Sequence, residues 1–190
     1  PDLMMDVLEK AINPDNYLVG PGDHFAFNML SADGMVNLNL VVTPTGEILI
    51  PAVGKIMVDG KTLSETIIVI TEQCHNKYSN AAIHIALTKI RKFRVLLKGP
   101  VNNPGFTVVS PLMRISDIFK IVNVNILDDI YKNNNLISQR NIILWRDNKT
   151  IMVDLLKFNM FGDKSLNPQL MQGDVIEFSL QEEYVGIFGG

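Results

Sequence analysis

Three histidines, one cysteine and a few turn-borne carboxylates are the side chains in this 190-residue sequence best equipped to act on a substrate. His24, His75 and His84 form neither an H-x-x-x-H nor an H-E-x-x-H pair, so no helical turn presents two imidazoles to one metal ion. Cys74 directly precedes His75, but adjacent helical residues point about 100° apart and do not make the hydrogen-bonded pair of an activated thiol. Cys74 reads instead as core. A single cysteine also excludes an internal disulfide and a thiolate-held cluster.

Gly20-Pro21-Gly22 lacks the G-x-G-x-x-G spacing, and no G-x-x-x-x-G-K-[ST] loop occurs. Asp23, Glu47, Asp59 and Asp174 stand in or beside turns, where carboxylates accept backbone N–H groups. Hydrolysis by paired carboxylates requires two of them to face one cleft, which the spacing does not establish. The residues therefore point to no catalytic group, no metal site and no bound cofactor. One binding candidate remains. Trp145, the only tryptophan, ends a strand beside Arg146, where an indole either packs in the core or stacks on a sugar ring.

The elements that position these residues are mostly strands. Alternation marks strands at 24–30 and 36–42, joined by a turn at 32–34 that suits a hairpin. Short strands follow at 47–50 and 55–58, with Pro51 breaking what would otherwise be one run. Thr62-x-x-Glu65 has capping-box spacing and opens a helix to about residue 78, with Leu63, Ile67, Ile70 and Cys74 forming its apolar stripe and Ile68 and Val69 broadening it. A strand at 82–88 carries His84. Phe25 and Phe27 share one strand face and read as core.

Beyond the basic run at 89–92, strands are expected at 93–98 and 107–109, and a helix at 114–122 through Ile115, Ile118, Phe119 and Val122. Residues 123–139 are asparagine-rich and loop-like, with a turn of helix around 127–131. Strands return at 141–145 and 150–153 across the Asp147-Asn148 turn, and a short helix covers 155–160. After the Gln172-Gly173-Asp174 turn come strands at 175–179 and 184–188. This order is α+β, strand-rich with short packed helices, and not a doubly wound dinucleotide fold.

Composition agrees with a folded chain. Apolar residues make up 47% and charged residues 19%, enough for a sizeable core. The net charge of -3 gives no general attraction to nucleic acid or anionic lipid. No stretch approaches the length of a membrane span, and no signal-peptide pattern opens the sequence.

The turns carry a family arrangement. Tyr17-x-x-Gly20-Pro21-Gly22-Asp23, the run VTPTGEILIP at 42–51, the segment at 53–60 and Lys61-Thr62-Leu63-Ser64-Glu65 at the head of a helix resemble the export domain of outer-membrane polysaccharide export proteins. The second half resembles the soluble ligand-binding β-grasp domain that follows it in that family. The matching residues are Phe93-x-Val95-x-x-x-Gly99-x-Val101-x-x-Pro104-Gly105, the strand at 142–146 and the segment 170–176. Residues 184–189 resemble the opening strand of another such domain. Where the family has Ala-Gly-Gly after the first β-grasp helix, this sequence has residues 120–125, KIVNVN.

The resemblance implies an export domain at 12–90, a soluble ligand-binding β-grasp domain at 91–183, and the truncated start of a further β-grasp domain at 184–190. It implies the periplasmic part of a Gram-negative outer-membrane lipoprotein, itself soluble, that exports capsular or extracellular polysaccharide. Its partners would be identical subunits in a ring, the translocating polysaccharide and the inner-membrane export machinery, with no nucleic acid. It implies neither catalysis nor a cofactor. Two other readings are a soluble glycan-binding module without a pore and a polysaccharide-modifying enzyme.

Overall fold

The computed structural model describes residues 11–32, 34–124 and 137–181. The expected helical turn at 127–131 and strand at 184–188 lie outside the described residues. The chain is α+β, and its described residues fall into two compact units divided between Lys92 and Phe93.

In the first unit, β1 (His24–Ser31) pairs antiparallel with β2 (Gly34–Val41) along its whole length, from His24 opposite Val41 to Ser31 opposite Gly34. β3 (Glu47–Ile50) and β4 (Gly54–Met57) form a separate two-stranded ribbon. α1 (Leu63–Lys77) leads into β5 (Ala82–Lys89), which pairs with the free edge of β1 and makes the order β2-β1-β5. Strand alternation turns Phe25, Phe27 and Met29 into the core.

Helix α1 starts where its capping box predicts. The Glu65 N–H donates to Thr62 Oγ1 at 3.1 Å, and the Thr62 N–H donates to Glu65 Oε2 at 2.8 Å. The buried stripe differs from the expected one at a single position. It runs Leu63, Thr66, Ile70, Cys74, while Ile67 is half-buried and Ile68 is 54% exposed. Steps of three, four and four from Leu63 also trace one helical face. Hydropathy alone favours Ile67, but in the folded unit Thr66 is the residue buried.

In the second unit, β6 (Phe93–Lys98) and β7 (Gly105–Val109) form a hairpin, followed by α2 (Ile115–Val124). β8 (Ile142–Arg146) and β9 (Lys149–Val153) form a second hairpin through Asp147 and Asn148, both left-handed at φ 48° and 61°. That pair of angles belongs to a type I′ turn. α3 (Leu155–Phe161) and a 3-10 turn then lead to β10 (Val175–Glu177).

β10 enters between the hairpins, parallel to β6 and antiparallel to β8, giving the order β7-β6-β10-β8-β9. The first and last described strands of this unit thus lie side by side, with α2 packed on one face of the sheet. Ile115, Ile118, Phe119 and Val122 of α2 share one core with Val95, Leu97, Leu144 and Ile176 of the sheet. Gly99 is required where β6 ends. At φ 98°, a Cβ there would stand 2.0 Å from the Phe178 carbonyl oxygen.

Candidate functional site

Two of the four turn carboxylates are fully engaged inside the protein. Gly20-Pro21-Gly22-Asp23 closes a turn with Gly22 at φ 94°, the type II geometry that Pro and Gly in those places favour. The turn delivers the Asp23 carboxylate to the interior. Tyr17 Oη donates to Oδ1 at 2.7 Å and the Gly20 N–H donates to Oδ2 at 2.9 Å. The Arg91 N–H donates to Oδ1 at 2.8 Å and Arg91 Nη1 to Oδ2 at 2.7 Å. Burial, reinforced by the hydrogen bond and negative charge of Asp23, pushes the Tyr17 hydroxyl far above the usual tyrosine range.

The second unit repeats the device. Met171-Gln172-Gly173-Asp174 turns with Gly173 at φ 86°, and the Met171 N–H donates to Asp174 Oδ2. Arg146 grips the same carboxylate as a fork, Nε to Oδ1 at 2.8 Å and Nη2 to Oδ2 at 2.7 Å. Asp23 accepts four hydrogen bonds and Asp174 three, all from the protein itself, and both side chains are buried. These clusters hold turns to strands. The sequence reading missed both arginines, because the partners stand 68 and 28 residues away.

Glu47 accepts from Thr45 and stands 3.5 Å from exposed Lys55; Asp59 is exposed at the end of β4. His24 and His84 belong to different strands, and His75 Nε2 donates to the Ala81 carbonyl at 3.0 Å. The structure thus brings none of the three histidines together into a site. Cys74 is buried, and that burial raises its thiol pKa, which disfavours the reactive thiolate. Among the described residues no group of three or more His, Cys, Asp or Glu could hold a metal ion. No helix among them is long and apolar enough to cross a membrane.

Trp145 lies outside the core, 43% exposed on the sheet face opposite α2. Register sets it in a row that crosses all five described strands of this sheet: Phe106, Leu96, Val175, Trp145, Thr150. Phe106 is 70% exposed, with the Arg94 guanidinium 5.3 Å from its ring centre. Phe106 was absent from the sequence-derived candidates. Its signal is the alternation of 105–109, which sets Phe106 and Val108 on the face opposite Val109. Two exposed aromatic rings in one row, three strand spacings apart, offer flat apolar platforms of the kind that sugar C–H faces stack on.

Comparison with known proteins adds to this geometry. Residues 11–88 match the family described as polysaccharide biosynthesis/export protein. Two curated relatives, both named polysialic acid transport protein KpsD and both from Escherichia coli, are 33% and 32% identical over 97 residues. That stretch covers 49% of this chain and 16% of each relative. The matched residues contain the Tyr17-to-Asp23 turn, the β1–β2 hairpin, the capped helix α1 and most of β5. Residues 11–88, less than half of the chain, are thus similar to the polysaccharide biosynthesis/export protein family.

Proposed function

We propose that this chain is the periplasmic part of an outer-membrane exporter for capsular or extracellular polysaccharide, whose identical subunits close into a ring around a polar passage. The match of residues 11–88 to the export family carries this reading. The name of the relatives adds an acidic polysaccharide, polysialic acid, as the type of cargo. Residues 12–90 serve as the export domain and 91–183 as a soluble ligand-binding β-grasp domain, with 184–190 beginning another.

The mechanism is passive: subunits enclose the polymer while inner-membrane machinery drives it, with no bond broken and no cofactor used. The engagement of Asp23 and Asp174 supports this, since the two buried carboxylates are committed to holding turns. Trp145 serves as a glycan contact on the outer sheet face of the second unit. Such a wall must bind weakly, because a tight subsite would stall a moving chain.

Electron microscopy of the full-length protein extracted from outer membranes tests the proposal. Rings with a central passage, together with loss of surface polysaccharide in a deletion strain, are expected. Monodisperse single subunits with unaltered surface polysaccharide would favour a glycan-binding module without a pore, the reading that the exposure of Trp145 supports on its own. Turnover of polysaccharide abolished by Glu47→Gln or Asp59→Asn would instead establish an enzyme.

A further inference from the structure

We propose that the outer face of the β2-β1-β5 sheet is a polysaccharide-contact surface that works through the side-chain amides of Asn28, Asn37 and Asn39 and the imidazole of His84. The proposal rests on the export reading above. Because Phe25, Phe27 and Met29 turn into the core, Ala26 and Asn28 face outward. Asn28 stands opposite Asn37 in β2 and His84 in β5, forming one row across all three strands. The adjacent row is Asn39, Ala26 and Ala86.

Asn28, Asn37, Asn39 and His84 are exposed, and none of these side chains makes a hydrogen bond within the described residues. Their donors and acceptors are therefore available to a ligand. Asparagine suits strands poorly, and three on one sheet face forgo stability that threonine would supply. Local misfits of this kind gather at functional positions.

The chemistry selects the occupant. Each amide both donates and accepts, as sugar hydroxyl and acetamido groups do. Neighbouring strands place the amides about 4.8 Å apart, and same-face positions along a strand about 7 Å apart. The two rows contain no Asp, Glu, Lys or Arg, so they neither attract nor repel a charged polymer. Ala26 and Ala86 keep the floor low around the amides. A stable protein contact calls for an apolar or aromatic centre, and in these rows only the two alanines are apolar. Met35, Leu30 and Ala82 border the surface with apolar groups.

Nuclear magnetic resonance titration of the 190-residue chain with dextran oligosaccharides and with oligosialic acid tests the surface. Both probes are expected to shift the side-chain NH2 signals of Asn28, Asn37 and Asn39 with nearly the same Kd at about 50 and about 300 mM salt. The Asn28→Thr/Asn37→Thr variant, suited to strands, should weaken binding about fivefold or more while its thermal melt stays at or above the parent's. Shifts absent from these residues with both probes, or an unchanged Kd in the variant, would overturn the proposal. So would a response to oligosialic acid alone that disappears in salt, which would mark an electrostatic contact elsewhere. In cells, export lost in the deletion strain but unaffected by the full-length double variant would overturn the surface and leave the export reading standing. Unaltered surface polysaccharide in the deletion strain would overturn the export reading itself.

Discussion

Arg91 holds Asp23 from two directions: its Nη1 lies 2.7 Å from Oδ2, and its own backbone N–H donates to Oδ1 at 2.8 Å. The contact ties the segment after β5 to the turn before β1, 68 residues away. The same guanidinium donates to the Leu18 carbonyl at 2.8 Å and lies 5.9 Å from the Tyr17 ring centre. One side chain thus gathers the turn, the start of the sheet and the end of the first unit.

Breaking this pair from one side should be costly. Asp23→Asn leaves Arg91 largely buried without a counter-charge, and a loss of about 3–5 kcal/mol is expected. Urea melts of Asp23→Asn, Arg91→Met and the double variant check it. The double variant should be clearly more stable than the sum of the single losses predicts, because no uncompensated charge remains.

Glycine substitutions should rank by what their new Cβ meets. In Gly99→Ala the Cβ stands 2.0 Å from a backbone oxygen at φ 98°, and about 3 kcal/mol or more should be lost. In Gly20→Ala the nearest atom is Arg91 Cζ at 2.8 Å, the far end of a flexible side chain. That variant should lose less, about 1–3 kcal/mol, through displacement of the guanidinium. Thermal melts of the two variants give the order.

The face of α1 that meets the core predicts opposite signs for neighbouring residues. Ile70→Ala should cost about 2–5 kcal/mol, and Ile67→Ala distinctly less because Ile67 is only half-buried. Thr66 Oγ1 is buried with no hydrogen-bond partner among the described residues. Thr66→Val removes that hydroxyl while keeping the shape, so a gain of about 1 kcal/mol is expected. Denaturant unfolding of the three variants measures all of this.

The start of α1 should carry a pH dependence. Accepting the Thr62 backbone N–H, with help from the Thr62 side chain, lowers the pKa of the Glu65 carboxyl below its ordinary value. A depressed folded pKa contributes stability that is present above the unfolded pKa and lost as pH falls through the folded one. The contribution should therefore fade from about pH 5 downward. Carboxyl titration followed by nuclear magnetic resonance should show the lowered Glu65 midpoint, and Glu65→Gln should flatten this part of the stability–pH curve.

Features specified within a few residues were legible in the sequence itself. Thr62 and Glu65 cap a helix because three residues separate them, and both hydrogen bonds of the box form. Gly20-Pro21-Gly22-Asp23 and Asp147-Asn148 turn as read because φ preferences act locally. Alternation likewise announced β1, β2 and the outward positions of Asn37 and Asn39. Only the tertiary structure decided what depends on distant segments meeting. It brought Arg91 to Asp23 and Arg146 to Asp174, placed β10 between β6 and β8, and chose Thr66 over Ile67 for the core. It also aligned Asn28 with Asn37 and His84, and Trp145 with Phe106, through strand register. Helical period and hydropathy narrow a buried face to two adjacent candidates. How the helix packs against the rest of the unit, a property of no segment alone, selects between them.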